Sequence, residues 1–256
     1  MVKCIPLYPF PALLVCYRNS NNEIVKLIAI SDLHLGFEQN LIEKGIYFNI
    51  DQAIDITINE ISTMSKKSNA DGVVILGDLN DRILNNSHEG LKRIKHFFER
   101  LSEIGDTYFI PGNHDGSING IVPLYVNQIT STGMIIDDVL FTHGHAIPKS
   151  KSPVNKIIIG HIHPLFLAKN SILNGQRIWI YLKTAKDVVF ADKRGELDVL
   201  IMPSFNNFLI SNKRNKNKKT STILNKIMNL NKIYDCKIMT LNGEIIGNDA
   251  LLYDAF

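Results

Sequence analysis

Five short apolar runs, rich in β-branched residues, each end on side chains able to bind a metal, and this recurrence constrains the chain more than anything else in it. Residues 27–30 lead into Ser31-Asp32-Leu33-His34, and residues 73–76 lead into Gly77-Asp78. Residues 108–110 lead into Pro111-Gly112-Asn113-His114-Asp115. Residues 139–141 lead into Thr142-His143, and residues 157–159 into Gly160-His161-Ile162-His163. Continuous apolar runs of this length read as strands buried on both faces. Strands that each finish on a carboxylate, amide or imidazole deliver those groups to one edge of a sheet. A rigid rim of that kind suits hard or borderline divalent cations.

Between these runs the periodicity changes. From Asp51 the spacing predicts a helix with Ile54, Ile58 and Ile61 on one face and Lys66-Lys67 at its C-terminal end, where cations complement the helix dipole. A second helix is expected with Ser87 as N-cap, Leu91, Ile94, Phe98 and Leu101 on its apolar face, and Gly105 past its end. Strand and helix thus alternate in the first half, which implies a largely parallel sheet. After His114 short β-branched runs are punctuated by Asp137-Asp138, Asn174-Gly175, Arg194-Gly195 and Asn242-Gly243, with Asn-Gly a strong hairpin signal. The second half is expected to be mostly antiparallel, and to include a C-terminal hairpin at about residues 233–247. The predicted fold class is α/β: one domain over residues 1–256, with two facing mixed β-sheets flanked by helices in a four-layer α/β/β/α sandwich.

Composition sets the surroundings. The hydrophobic share of 45% over 256 residues is enough for one substantial core. Cys4, Cys16 and Cys236 are too few and too scattered for a disulfide framework, and a reducing cytoplasm is the expected setting. Pro6, Pro9 and Pro11 interrupt the apolar N-terminal stretch, so a strand from about Ala12 to Tyr17 is expected there and not a targeting signal. No apolar stretch is long enough to span a membrane. Lys213, Arg214, Lys216, Lys218 and Lys219 more than account for the net charge of +3, which leaves the rest of the chain slightly acidic. The basic loop at 212–220 is read as a solvated surface segment, with a phosphate-contacting arm as its alternative. The body carries no basic stripe for a nucleic-acid backbone.

Phosphate esters resist hydrolysis because anionic oxygens repel a nucleophile and the leaving oxygen departs as a poor anion. Two metal ions address both problems, and they need a carboxylate able to bridge them. Asp78 is the natural candidate. Neutral imidazoles and an amide oxygen fill further positions without cancelling the metal charge. A calcium-loop reading of Asp78-Leu79-Asn80-Asp81 fails, because the glycine and distal glutamate it requires are absent. His145 reads as a neighbour of the site and not a ligand. His88 and His96 read as surface histidines, Trp179 as core, and Arg82 as either a solvated loop residue or a phosphate contact.

The ordered set resembles the calcineurin-like metallophosphoesterases, whose pattern runs D-x-H, G-D, G-N-H-[DE], H and G-H-x-H, and every element is present between about residues 28 and 164. Within that superfamily the chain is most similar to the SbcD-related archaeal phosphoesterases and their ligase-associated bacterial relatives. That finer likeness rests on the strand before Asp32, on Gly-His-Ile-His-Pro, and on Leu-Ile-Met-Pro-Ser-Phe-Asn at 200–206. The resemblance implies one metal on Asp32, His34, Asp78 and His163, and a second on Asp78, Asn113, His143 and His161. It implies two divalent ions, manganese first, with iron, zinc or cobalt as alternatives. His114 would assist the leaving group while Asn113 and His114 contact the substrate, and Asp115 would hydrogen-bond His114 and favour its imidazolium form. The implied activity is hydrolysis of a phosphate ester, a phosphodiester above all, with nucleotides or nucleic acid among the candidate substrates. A DNA repair nuclease is the alternative, and a catalytically inactive partner-binding scaffold the second alternative. Oligomeric state is left open, a homodimer included.

Overall fold

Strand β3 (Ile24–Ile30), β4 (Gly72–Leu76) and β5 (Asp106–Ile110) pair in parallel, and their last residues are fully buried. The computed structural model describes residues 1–81, 88–118, 120–146, 153–168, 170–209, 223–229 and 232–254. A hairpin of β1 (Lys3–Pro6) and β2 (Leu13–Arg18) extends this sheet on one side. The short β6 (Asn127–Gln128) extends it on the other, giving the order β1-β2-β3-β4-β5-β6. The second sheet has the order β13-β12-β10-β11-β9-β8-β7. Its strands are β7 (Met134–Ile136), β8 (Val139–Thr142), β9 (Lys156–Ile159), β10 (Ile178–Ala185), β11 (Glu196–Ile201), β12 (Ile233–Thr240) and β13 (Ile245–Gly247).

The layers follow from the side-chain alternation. One face of the first sheet packs on α2 (Ile50–Ser68) and α3 (His88–Ser102) through Ile54, Ile58, Ile61, Ile94, Phe97 and Phe98. Its other face meets the second sheet in a shared core that joins Leu27, Val74 and Ile110 to Phe141, Ile158 and Trp179. The outer face of the second sheet is covered by Ile223, Leu224 and Ile227 of α4 (Ile223–Asn229) and by Val188, Val189 and Phe190. Two mixed sheets with helices outside both give the α/β/β/α sandwich that the sequence implied.

Some details depart from expectation. A further strand, β1, precedes the expected one, and a short helix α1 (Glu38–Ile42) follows His34. The second sheet is less antiparallel than expected, because β9 runs parallel to both β8 and β11. Asn174-Gly175 does not form a two-residue hairpin turn. The residues before it turn, with Asn174 N–H donating to Ser171 O (3.1 Å) and Gln176 N–H to Leu173 O (3.0 Å), so a longer loop leads into β10. The cap expected at Ser87, Arg82 and the basic segment at 212–220 lie outside the described residues. Among the described residues no helix is long and apolar enough to cross a membrane.

These departures leave the rim intact. Parallel strands present their C-terminal ends on the same side, where α/β sheets place their ligand sites. The ends of β3, β4 and β5 in one sheet face those of β8, β9 and β11 in the other.

Candidate metal centre

The loops after β3 and β4 stay hydrogen-bonded beyond the strands themselves. Asp32 N–H donates to Gly77 O (3.1 Å), His34 N–H to Asp78 O (2.9 Å) and Leu35 N–H to Leu79 O (2.8 Å), which locks the two loops to each other. Within them Asp32, His34 and Asp78 adopt left-handed backbone with φ of 56°, 42° and 48°, and His161 and His163 do the same at 70° and 48°. Residues with a Cβ pay roughly 1–2 kcal/mol each for this conformation, and it persists only where surrounding bonds over-determine it. Two glycines allow the loops to meet. A Cβ at Gly112 would lie 2.2 Å from Asp78 Oδ1, and one at Gly160 would lie 2.6 Å from Asp32 Oδ2.

The rim gathers the expected side chains into two overlapping clusters. Ligand atoms of Asp32, His34, Asp78 and His163 lie within 4.8 Å of one another, as do those of Asp78, His143 and His161. Asp78 belongs to both. Its Oδ2 lies 3.2 Å from His143 Nε2 and 3.5 Å from His34 Nε2, while Oδ1 accepts from His114 N–H at 3.0 Å. Asn113 joins the second cluster, its amide oxygen 3.2 Å from His143 Nε2. His161 Nδ1 lies 3.1 Å from the same His143 nitrogen, and His34 Nε2 and His163 Nε2 face each other at 3.4 Å. His143 Nδ1–H donates to Leu76 O at 2.9 Å, which turns Nε2 into the site.

Asp32 is fully buried, and its carboxylate accepts from His161 N–H (3.0 Å to each oxygen) and from the Ser31 hydroxyl (2.6 Å). Burial alone would raise Asp32, but His163 and His143 outweigh it and bring it down to about 2. Asp78 is likewise opposed by burial and held well below the usual carboxylate range by His143 and His34. Burial and the neighbouring imidazole of His163 push His34 down to about 4, and burial with His143 does the same to His161. Both are therefore neutral near pH 7, with lone pairs available. His143 is the exception: burial works against its charge, yet Asp78 and Asp32 raise it to about 9. Lone pairs and carboxylate oxygens converging at such short range fit divalent cations in donor type and charge.

His114 sits at the edge of this set, partly exposed, with Nε2 4.0 Å from Asp78 Oδ2. The expected hydrogen bond from Asp115 to His114 is not made. Asp115 is fully buried and turns inward, accepting from Gly112 N–H (2.7 Å) and Asn80 N–H (3.2 Å), while His114 Nδ1 has no partner. Adjacent residues at a strand-end turn diverge, so Asp115 ties the loop after β5 to the loop after β4. Burial, reinforced by Asp78, raises Asp115 to about 6. His145 is half-buried with its ring centroid 5.3 Å from that of His143, His96 is exposed beside Asp55 (3.2 Å), and Trp179 is core. Beyond Asn113 the site opens into a cleft of about 640 Å³ lined also by Gln128, Thr130, Ser131 and His145. A separate groove of about 350 Å³, between the loop after β3 and α2, is lined by none of the seven candidate ligands.

Two residues escaped the sequence reading. Ser31 hydrogen-bonds Asp32, and its place beside a motif aspartate was its only signal. Asn206 reaches the loop after β3 from the end of β11, where it donates to Leu33 O at 2.9 Å. The strand-then-polar pattern does recur a sixth time, in residues 197–206, but it ends on an asparagine with no carboxylate or imidazole beside it to draw attention.

The sequence model of the calcineurin-like phosphoesterase family matches residues 25–201, most of the chain and every strand of the rim. The protein belongs to that family: it is a metal-dependent phosphoesterase by fold and donor set, with divalent ions implied by the His/Asp cluster. Among solved structures it is similar to a nuclease MPE from Pseudomonas putida, at 16% identity and a TM-score of 0.49, over 82% of this chain and 89% of that one. It is also similar to the E. coli phosphoesterase Yfce, at 17% identity and a TM-score of 0.38, over 88% of this chain and 98% of that one. No curated protein matches the sequence.

Proposed function

We propose that this protein hydrolyses a phosphodiester at a two-metal centre. The observation that supports it is the shared carboxylate: Asp78 alone belongs to both donor clusters. In this reading Asp32, His34, Asp78 and His163 hold one ion, and Asp78, Asn113, His143 and His161 hold the other. When bound, such a pair lowers the pKa of a water and places positive charge against the phosphoryl oxygens. Manganese is proposed, since mixed carboxylate, imidazole and amide donors accept it readily, with iron, zinc and cobalt as substitutes. His143 is held by Leu76 O so that its free nitrogen faces the site, and Asp32 is oriented by Ser31 and the backbone of His161.

His114 holds no place in either cluster and keeps part of its ring open to solvent, as a donor to a departing oxygen requires. Asn113, exposed at the mouth, is the proposed contact to a non-attacked phosphoryl oxygen. The adjoining cleft gives room for the second substituent of a diester, and its uncharged Gln128, Thr130 and Ser131 lining suits a polar alcohol or sugar portion.

The test is metal content together with a substrate panel in added Mn²⁺: cyclic nucleotides, nucleotide esters, single- and double-stranded DNA, and aryl diesters. Preference for DNA over every small diester would make the protein a nuclease. Two bound metals without turnover of any ester would make it a binding scaffold. Asp78→Ala should empty both sites, whereas His161→Ala should empty mainly one. Elemental analysis that finds two metals in Asp78→Ala would contradict the bridging role.

A further inference from the structure

We propose that Asn206, seated by Arg177, is a positioning residue for the half of the metal centre built on Asp32 and His34, an inference that rests on the two-metal reading. The loop at 31–35 is held on one side by the residues after β4, which take its N–H groups. The carbonyls of residues 31–34 point the other way, and residues 205 and 206 meet them. Phe205 N–H donates to Ser31 O at 2.8 Å, and Asn206 N–H to Asp32 O at 3.3 Å. The Asn206 side-chain amide then reaches Leu33 O at 2.9 Å and His34 O at 3.4 Å. Four consecutive carbonyls of the strained loop therefore find donors in two adjacent residues.

That second rail is itself anchored. Arg177, just before β10, sends one guanidinium nitrogen to Ser204 O (2.8 Å) and Phe205 O (2.9 Å). Parallel pairing of β11 with β9 carries residues 202–206 to the rim, with Met202 N–H bonded to Ile159 O at 2.8 Å. The left-handed φ values of Asp32 and His34 are not conformations these residues choose in isolation. With acceptors on one side and donors on the other, the loop cannot relax to ordinary backbone without breaking bonds in a buried place. The alternation of left-handed residues aims both the Asp32 carboxylate and the His34 imidazole at Asp78.

Asn206 also caps its own turn, its side-chain oxygen accepting from Phe208 N–H at 2.7 Å. One substitution separates the two jobs. Asn206→Asp keeps an oxygen for Phe208 but exchanges the donating NH₂ for a second acceptor, set against two carbonyls. If turn capping is the whole role, aspartate serves as well as asparagine. If the amide holds the loop, aspartate is at least as damaging as the isosteric Asn206→Leu.

The experiment compares Asn206→Asp, Asn206→Leu and Arg177→Met by hydrogen exchange in metal-free protein and by Mn²⁺ titration calorimetry. The expected result is faster exchange of the amides at 32–35 in all three. It includes Mn²⁺ affinity about 10–100-fold weaker at one site, as for other residues that orient metal ligands, with the second site nearly unchanged. Asparagine-like behaviour of Asn206→Asp on both measurements would overturn the proposal, as would unchanged exchange in all variants. Should Asn206→Leu fail to fold, the Asp and Met variants still decide the matter. A natural chain that binds no Mn²⁺ would instead defeat the two-metal reading, and the exchange data would still report on Asn206.

Discussion

His114 and Asn113 are chain neighbours, yet only Asn113 points into a donor cluster, its amide oxygen 3.2 Å from His143 Nε2. His114 offers the site its ring edge and its backbone N–H, the latter fixed on Asp78. Removing the His114 ring should therefore spare the metals and the fold while slowing the reaction. Loss of a general acid typically costs about 10²–10⁴-fold. The loss should be smaller for p-nitrophenyl esters, whose leaving oxygen needs no proton, than for alkyl or nucleoside esters. Equal kcat losses for His114→Ala on both classes would assign the ring to charge stabilisation. Asp115 is committed to Gly112 and Asn80 and makes no bond to His114, which the sequence misjudged because adjacency in the chain says nothing of direction at a turn.

At the scale of elements, the strands of the rim are bound by their shared apolar layer. Trp179 on β10 is the largest buried side chain in that layer, and its indole N–H has no partner. Trp179→Ala should cost about 3–5 kcal/mol by cavity formation, read as a lower urea midpoint at unchanged slope. A change below about 1 kcal/mol, the range of tolerated core swaps, would show that the two sheets do not depend on that contact. The five motif strands were legible because burial on both faces forces continuous apolar runs, and α2 because Ile54, Ile58 and Ile61 repeat at helical spacing. Strand β1 was not, since Pro6 and the residues around it carry no alternation a reader could use. The segment carrying Asn206 was noticed only for a family likeness. Its work is done largely between main chains and through one amide, which leaves almost no compositional trace.

Taken as a whole molecule, the rim collects imidazoles and carboxylates whose charges are settled jointly. In the metal-free protein His143 is raised from 6.5 to about 9, while His34 and His161 are lowered to about 4. Near pH 7.5 His143 therefore carries a proton where the other two do not. Ligands must shed protons to bind metal, so loading Mn²⁺ at that pH should release about one proton. Calorimetry in buffers of different ionisation enthalpy measures this directly. The release should fall away as pH rises through 9 and grow as pH drops toward 4, where His34 and His161 become protonated. No proton release at pH 7.5 would mean that His143 is neutral before metal binds. The sign for stability is also set: a raised imidazole stabilises the metal-free fold fully below pH 6.5, and that contribution is lost as pH climbs through 9.

Left-handed backbone at Asp32, His34, Asp78, His161 and His163 carries a consequence for how such a chain can change. Each of these positions would be more comfortable as glycine or asparagine, so every one trades foldedness for chemistry. A lineage released from catalysis could surrender them only by also replacing the buried bonds they make, since Asp32 accepts from His161 N–H and Asp78 from His114 N–H. Aspartate and histidine stand together at all five positions and lean on one another, so such a change would have to be made at several of them at once.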